Sequence, residues 1–273
     1  MKNTTIFCLT LNPEHENLIE RLSYIPVGLG EKNFSKKFFT DNTGNNISNK
    51  NSFYGEYTFH YWIWKNYLNN IKTDWVGFCQ YRKFFVNKII NEDQISFSDF
   101  ENCLIKNAEI NYKDFDCILG EKFSVENYKL SKIFKNHFFH FLKRPSLFFD
   151  KKKRNLKLHF DLFHGEGNLE KAIELLDEDN KVSFTNYMNR ETSFCPHNMF
   201  ICKTDILKNY YDSVFPWLKR CESIFGFNNL DSYGLKRIYG FLAERFLSFW
   251  FLKNYNCKEL PILFKNLSDY KNL

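Results

Sequence analysis

The chain has 273 residues and a net charge of +6 at pH 7, with 44% hydrophobic and 19% aromatic residues. This length and composition support a substantial buried core and exclude an intrinsically disordered chain. The N-terminal apolar run at residues 6–11 is too short for a signal peptide, and no later window approaches about 18 uncharged apolar residues. We therefore expect a cytoplasmic protein, at most peripheral at the inner face of a membrane.

Strand and helix patterns alternate along the chain. In chain order we predict a strand at residues 5–11, a helix at 14–22, a short extended segment at 24–30, a loop at 31–52, a helix from 54, strands at 74–85 and 114–120, a helix at 168–179, a strand leading into a helix at 197–218, a helix with one apolar face at 239–254 and a final strand at 258–264. This alternation favours an α/β fold with a Rossmann-type mixed, mainly parallel sheet flanked by helices. Because no convincing linker interrupts the pattern, we predict one domain over residues 1–273.

The helix that begins near residue 54 carries aromatic residues at helical spacing. Tyr57, Tyr61, Trp64 and Leu68 stand at positions i, i+4, i+7 and i+11, which predicts one helix face packed in the core. We therefore assign these aromatic residues to structure and look for function in the polar residues around them.

A basic, aromatic-rich insertion is predicted at residues 129–158. Residues 129–157 hold ten Lys or Arg and one acid, a local balance of +9, so the rest of the chain carries −3. The segment is either a solvated insertion or a contact with an anionic membrane surface, where each Lys or Arg gains roughly 1 kcal/mol. No helix-turn-helix or RNA-binding module accompanies it, so we expect no nucleic-acid partner.

The sequence lacks the common cofactor and metal motifs. It contains no P-loop, no G-x-G-x-x-G, no H-E-x-x-H and no G-x-S-x-G. The eight cysteines form no C-x-x-C pair, which predicts small buried thiols and not a disulfide or zinc framework. Two histidine pairs, at 137/140 and 159/164, have no carboxylate or thiol pattern to complete a metal site. We expect no cofactor, with a divalent metal as the alternative.

The strand at residues 74–85 ends in the polar sequence Gln80, Tyr81, Arg82 and Lys83. Ligands of parallel α/β sheets bind at the carboxyl ends of strands. Tyr81 can stack on a base or sugar, while Arg82 and Lys83 can bind a diphosphate. Many nucleotide-sugar enzymes carry a metal-binding D-x-D pair there, whereas cations could neutralise a leaving diphosphate without a metal. The alternative is an exposed strand end with solvated charges.

Four segments together resemble the motifs of a known family. They read "TGNNISNKNSFYGEYTFHYWIWKN", "WVGFCQYRKFF", "HNMFICKTDILKNYY" and "YGFLAERFLSFWF", and the likeness extends over nearly the whole chain. The family is that of bacterial capsule and O-antigen polysaccharide galactofuranosyltransferases, long catalogued as a domain of unknown function. The resemblance implies a GT-A-like fold and inverting transfer of galactofuranose, or a related sugar, from a UDP-sugar to a growing, lipid-linked surface glycan. The alternatives are another nucleotide sugar or a non-catalytic glycan-binding module.

The chain departs from this family pattern at three positions. Gln80 stands in place of a histidine, Lys83 in place of an arginine and Gly55 in place of a cysteine. Glutamine forms hydrogen bonds but cannot take up a proton, so position 80 supplies no acid or base in this chain. A different donor sugar or acceptor is therefore an alternative to galactofuranose transfer.

The inverting mechanism implied by the resemblance requires a carboxylate base. Glu244, in "GFLAER", is our first choice, and Asp231 and Glu56 are the competing carboxylates. Arg245 would bind phosphate or acceptor, or fix the orientation of Glu244. The alternative is that Glu244 and Arg245 form a purely structural ion pair.

The amide-rich loop before the aromatic helix is predicted to line the donor side. Its candidate residues are Asn46, Ser48, Lys50 and Asn51. Glu56 would accept hydrogen bonds from sugar hydroxyls or from the loop backbone. The alternative is a polar helix start capped by Asn51 or Ser52. His197 and Asn198 are predicted at a strand end near the acceptor.

Overall fold

The computed structural model describes residues 3–30, 32–88, 95–126, 154–228 and 230–270. In these ranges the strands are β1 Thr4–Thr10, β2 Ile25–Gly28, β3 Phe39–Thr40, β4 Trp75–Gln80, β5 Phe84–Phe85, β6 Cys117–Gly120, β7 Phe123–Ser124, β8 Ser193–Phe194, β9 Phe200–Lys203, β10 Cys257–Leu260 and β11 Ile262–Leu263. The α-helices are α1 Glu16–Arg21, α2 Asn51–Tyr54, α3 Tyr57–Trp62, α4 Phe97–Cys103, α5 Ala108–Tyr112, α6 Leu156–His164, α7 Asn168–Ile173, α8 Glu178–Arg190, α9 Thr204–Phe225, α10 Tyr233–Lys236 and α11 Ile238–Asn254. Most of the predicted basic insertion lies outside the described residues, so its membrane contact stays a prediction.

Seven strands form one sheet in the order β10-β6-β9-β4-β1-β2-β3. β1 is parallel to β2 and β4, β2 is parallel to β3, and β6 is parallel to β10. Only β9 runs against its neighbours, β4 and β6, among these seven strands. The predicted mainly parallel α/β sheet is confirmed, with β4 at its centre. β1 and β4 read as near-continuous apolar runs because both faces of the sheet are covered.

Alternate residues of the strands face two hydrophobic clusters, one on each side of the sheet. Phe7 and Phe78 belong to the larger cluster, which contains the buried faces of α9 and α11. Cys8 and Cys79 belong to the smaller cluster, together with Phe100 of α4. This alternation is the two-residue period of a strand whose two faces are both packed.

The predicted aromatic helix is divided at Gly55 into α2 and α3, and α3 runs on into a π-helical turn at Ile63–Tyr67. Gly55 has a φ of 59°, in the region that L side chains avoid, so the helix cannot continue through it unchanged. Tyr57 is fully buried in the larger cluster. Tyr61, Trp64 and Leu68 are partly buried at its edge.

Helix α11 differs from the expectation of a single apolar face. Thirteen of its 17 residues are buried, so it is a core helix packed on almost every side. The buried residues include the polar side chains of Glu244, Arg245 and Ser248. A polar group buried this deeply is costly unless it is hydrogen-bonded. We therefore expect each of these three side chains to have a hydrogen-bond partner.

All eight cysteines are free thiols in the structure. Seven are buried and Cys257 is partly buried, in line with their prediction as small apolar residues. Cys117 and Cys257 lie side by side on β6 and β10, with their Sγ atoms 2.9 Å apart.

None of the helices in the described ranges is long and apolar enough to cross a bilayer.

Candidate active site

A cavity opens at the edge of the sheet where β1, β2 and β4 end. β1 and β2 finish side by side, with Thr10 paired to Gly28. Because β9 runs in the opposite direction, the residues that precede it, His197 and Asn198, reach the same edge. The first two turns of α11 complete the wall. The cavity has a volume of about 220 Å³.

Nine of the 14 site residues predicted from the sequence line this cavity. They are Asn51, Glu56, Gln80, Tyr81, Arg82, Lys83, His197, Asn198 and Glu244. They come from four separate parts of the chain, and the sheet edge brings them together as expected for ligand sites in parallel α/β folds. The charged lining side chains are three cations and two carboxylates, because Arg237 joins Arg82 and Lys83.

The strand end at residues 80–83 is a tight turn. The backbone N–H of Gln80 donates to the carbonyl of Lys83 at 3.3 Å, and the reverse bond measures 3.0 Å. The ring of Tyr81 packs against His15, with the centroids 5.2 Å apart. The Arg82 guanidinium lies 5.6 Å from the Tyr81 ring centroid. The turn therefore presents Arg82 and Lys83 at the cavity on a fixed backbone.

Lys83 and His197 form a hydrogen bond across the cavity, with Lys83 Nζ 3.0 Å from His197 Nδ1. Burial, together with the charge of Lys83, lowers the pKa of His197 to about 4, so the imidazole is neutral at physiological pH. Burial also lowers the pKa of Lys83, against the opposing effect of Glu56. Because an ammonium group can only donate, Nδ1 is the acceptor and the ring proton resides on Nε2.

Three donors bind the carboxylate of Glu56. Gln80 Nε2 and Asn198 Nδ2 donate to Oε1 at 3.2 Å and 3.1 Å, and Arg237 Nη2 lies 3.3 Å from Oε2. Gln80 also donates to the carbonyl of His197 at 3.0 Å. Both oxygens of Glu56 thus accept bonds from the protein itself, so Glu56 holds the walls of the cavity together.

The carboxylate of Glu244 is also held on both oxygens. The backbone N–H of His197 donates to Oε1 at 2.6 Å, and Arg245 Nη1 donates to Oε2 at 2.6 Å. Arg245 lies behind Glu244, where its guanidinium stacks 3.5 Å from the Phe194 ring centroid and Nη2 lies 3.2 Å from His159 Nδ1. Arg245 therefore fixes the orientation of Glu244 and does not itself line the cavity.

His197 and Asn198 both have a left-handed backbone, with φ of 82° and 54°. Such conformations are uncommon for residues other than glycine and persist where the surroundings determine them. Here the surroundings are four side chains, each of which forms one hydrogen bond with this dipeptide: Gln80, Lys83, Glu56 and Glu244. The conformation turns the His197 N–H towards Glu244 and the Asn198 amide towards Glu56.

The remaining predicted residues lie outside the cavity lining. Lys50 is ion-paired with Glu222 at 2.6 Å, and its ammonium lies 4.9 Å from the ring centroid of Phe227. The Asn46 side chain accepts from the hydroxyl of Ser48 at 2.9 Å, so both serve the loop itself. Asp231 is exposed. None of these four side chains lines the cavity. Lys50 turns towards Glu222 of α9, and Asn46 and Ser48 bond to each other.

Asn51 lines the cavity, but it does not cap the helix that follows. No side-chain cap is formed at the start of α2. Instead, Asn51 Nδ2 donates to the carbonyl of Gly55 and to the hydroxyl of Thr58, both at 3.0 Å. Asn51 therefore holds the α2–α3 junction next to Glu56.

Tyr233, Arg237 and Phe241 are among the lining residues that the sequence reasoning missed. Arg237 stands seven residues before Glu244 at the start of α11, and two helical turns place both on one side of the helix. That spacing, with a cation immediately before the helix, was the available signal.

Within the described ranges, no group of three or more His, Cys, Asp or Glu side chains is arranged to hold a metal ion.

The seven-stranded mixed sheet, with the cavity at the ends of β1, β2 and β4, is a GT-A-like fold. The chain belongs to the family DUF4422, described as a domain of unknown function, whose model matches residues 12–255. It is similar to the apo structure of WbbM, a bifunctional glycosyltransferase, with a TM-score of 0.68 and 23% sequence identity. The match covers 96% of this chain and 45% of WbbM, so this chain spans a little under half the length of that protein. No curated protein sequence matches it.

Proposed function

We propose that the chain is a glycosyltransferase that moves a sugar, galactofuranose or a related one, from a UDP-sugar to a lipid-linked surface glycan. One observation carries the proposal: a carboxylate, Glu244, and three cations, Arg82, Lys83 and Arg237, converge on one cavity at the carboxyl edge of a parallel sheet. The likeness to a bifunctional glycosyltransferase supports this chemistry on this fold. The family pattern that this chain resembles has a histidine at the position of Gln80. This difference leaves a related donor sugar as the alternative to galactofuranose.

The diphosphate of the donor fits the cationic side of the cavity. Arg82 can bind phosphate oxygens in a bidentate manner, and Lys83 and Arg237 add point charges nearby. A diphosphate leaves with more negative charge than it carries in the sugar ester, so fixed cations stabilise the transition state more than the ground state.

Glu244 is the proposed base. The acceptor hydroxyl oxygen bonds to the anomeric carbon while the bond from that carbon to the diphosphate oxygen breaks. The hydroxyl proton passes to the Glu244 carboxylate, and UDP departs with the bonding electron pair. Attack on the face opposite UDP inverts the anomeric carbon. Asp231 is exposed and lies outside the cavity lining, so it does not compete for this role. Glu56 accepts from three side-chain donors, whereas Glu244 accepts from two donors, so Glu244 keeps more capacity to accept a proton.

The test separates chemistry from donor binding. Wild-type protein is incubated with a panel of UDP-sugars that includes UDP-galactofuranose, and UDP release and UDP affinity are measured. Glu244→Gln is expected to lose roughly 100-fold or more in turnover, the usual effect of removing a general base, with unchanged UDP affinity. Arg82→Ala is expected to weaken UDP binding roughly tenfold. Full turnover in Glu244→Gln contradicts the base assignment, and a wild-type chain that binds no UDP contradicts the UDP-sugar donor.

We further propose that transfer requires no divalent metal, because the strand-end cations could supply the positive charge that a metal ion supplies in other nucleotide-sugar enzymes. Turnover is expected to be the same, within about twofold, in EDTA and in Mn²⁺, as expected when protein cations supply the charge stabilisation. Arg82→Ala serves as the control, since loss of a cation should make added Mn²⁺ stimulatory. Activity that disappears in EDTA and returns with Mn²⁺ overturns the metal-free proposal.

A further inference from the structure

Large apolar side chains are exposed around the mouth of the cavity. Tyr233 and Leu11 line the cavity and are 70% and 47% exposed, and Phe264, which packs on lining residues, is 47% exposed. These are three of the seven large hydrophobic side chains exposed in the described ranges. Exposed apolar groups are common singly, but a group of them beside a polar cavity marks a binding surface.

The two aromatic rings flank Glu244. The Tyr233 ring lies 5.9 Å from the ring of Phe241, which precedes Glu244 by three residues on the same helix face. On the other side, Phe264 meets His197 edge-on at 5.3 Å, and the N–H of His197 binds Glu244. Each ring is therefore separated from Glu244 by one intervening residue.

The chemistry of these rings suits a carbohydrate. A sugar ring has apolar C–H faces and a polar rim of hydroxyls, so it stacks on an exposed aromatic face while its hydroxyls reach neighbouring polar groups. Tyr233 adds a phenolic hydroxyl, and Arg237 lies 5.6 Å from its ring centroid. The Lys83 ammonium lies 5.9 Å from the Phe264 ring centroid, so Phe264 stands at the border with the cationic side.

We propose that Tyr233 and Phe264 form an acceptor subsite, in which they stack on sugar rings of the glycan and present a hydroxyl to Glu244. This inference rests on the proposed transfer function, because it takes Glu244 as the base. A nucleoside base could also stack on Tyr233. The position of the rings beside Glu244, which accepts the proton of the acceptor, favours the glycan.

The probes are methyl β-galactopyranoside and methyl β-glucopyranoside, whose binding is measured by saturation-transfer NMR, and UDP, whose binding is measured by calorimetry. Tyr233→Ala and Phe264→Ala are compared with Tyr233→Trp, which keeps a stacking face. Ile110→Ala is the matched control, because Ile110 is 74% exposed and lies outside the cavity lining. All three side chains are exposed enough that the thermal melts of the four variants should match the wild type.

Tyr233→Ala and Phe264→Ala are expected to weaken glycoside binding, each by up to roughly tenfold, with UDP affinity unchanged. Tyr233→Trp and Ile110→Ala are expected to bind glycosides as the wild type does. Weakened UDP binding with unaltered glycoside binding overturns the inference and makes Tyr233 a base-stacking residue. Wild-type protein that binds neither glycoside also overturns it. If glycosides bind in a manner that depends on Tyr233 and Phe264 but UDP does not bind, the proposed subsite is supported and the proposed transfer function is contradicted.

Discussion

Gly55 shows how one missing side chain places a charge in the cavity. A Cβ at this position would lie 2.1 Å from Nη2 of Arg237, the same atom that pairs with Glu56. The backbone at Gly55, with φ 59° and ψ −134°, is also one that other residues rarely adopt. The ion pair between Glu56 and Arg237 therefore depends on the absence of a side chain at position 55.

Gly55→Ala is expected to weaken UDP binding roughly tenfold, because its methyl group displaces the Arg237 guanidinium. Gly226→Ala is the matched control. Gly226 has φ 57° and ψ −153°, but nothing lies within 4 Å of a Cβ built there. Both variants should lose about 1–3 kcal/mol of unfolding free energy in urea, from backbone strain alone. Equal UDP affinities in the two variants would contradict the placement of Arg237.

The residues whose position could be predicted individually are those that follow a strand end or a helix start. Gln80–Lys83 follow an apolar run, and Glu244 follows a helix start, so both could be placed at the ligand edge. Lys50 could not, because its partner Glu222 is distant in sequence and draws it away from the cavity. The left-handed dipeptide at residues 197–198 leaves no signal in the residue types themselves.

At the scale of elements, one face of α11 organises the segment at residues 195–198. Gly240, Glu244 and Ser248 stand at i, i+4 and i+8, so they follow one another along a single face of the helix. Their partners, in the same order, are the side chain of Asn198 at 3.2 Å, the N–H of His197 at 2.6 Å and the N–H and carbonyl of Cys195 at 2.8 Å and 2.9 Å. The helix thereby sets the position of both the proposed base and the strained turn opposite it.

Ser248→Ala is expected to lower the unfolding free energy by about 1–3 kcal/mol, because it leaves the buried N–H and carbonyl of Cys195 without their partner. The loosened segment should also reduce turnover while UDP affinity stays constant. Ser223→Ala is the control, because that exposed hydroxyl bonds only to a carbonyl within its own helix and should matter by less than about 0.5 kcal/mol. Similar losses in both variants, measured in urea, would show that Ser248 has no special role.

Elements with a strong apolar period were predictable, and the others were not. β1, β4 and α9 follow directly from their apolar residues, whereas α8 was missed beyond its start. Only Phe184 and Met188 of α8 are buried, so its sequence reads as polar. The division of the aromatic helix at Gly55 needed the position of Arg237, which a local pattern does not contain.

At the scale of the whole molecule, several buried or half-buried histidines, among them His60, His164 and His197, remain neutral in the folded chain. Burial lowers the pKa of His60 and of His164 to about 3, and burial with Lys83 lowers that of His197 to about 4. In the unfolded chain each imidazole has its ordinary pKa of 6.5. Between pH 6.5 and 4 the unfolded state therefore binds more protons than the folded state.

The free energy of unfolding is expected to fall as the pH drops from 6.5 towards 4, by up to about 1.4 kcal/mol per pH unit for each histidine. Above pH 6.5 these groups contribute no slope. Urea unfolding at pH 7, 6 and 5 measures the effect. His60→Phe removes one titrating group from an aromatic environment, so its stability should decline less steeply with acidification than that of the wild type. An identical slope in both proteins would show that His60 is not neutral when folded.

The burial of α11 restricts which of its residues can be substituted during evolution. Glu244 is part of the core, so the proposed base cannot move without repacking the interior. Tyr233 and Phe264 are 70% and 47% exposed. Under the proposed function, substitutions at Tyr233 and Phe264 would change glycan binding at a smaller cost in stability than substitutions at Glu244. We therefore expect related chains to differ more at the proposed acceptor subsite than at the proposed base.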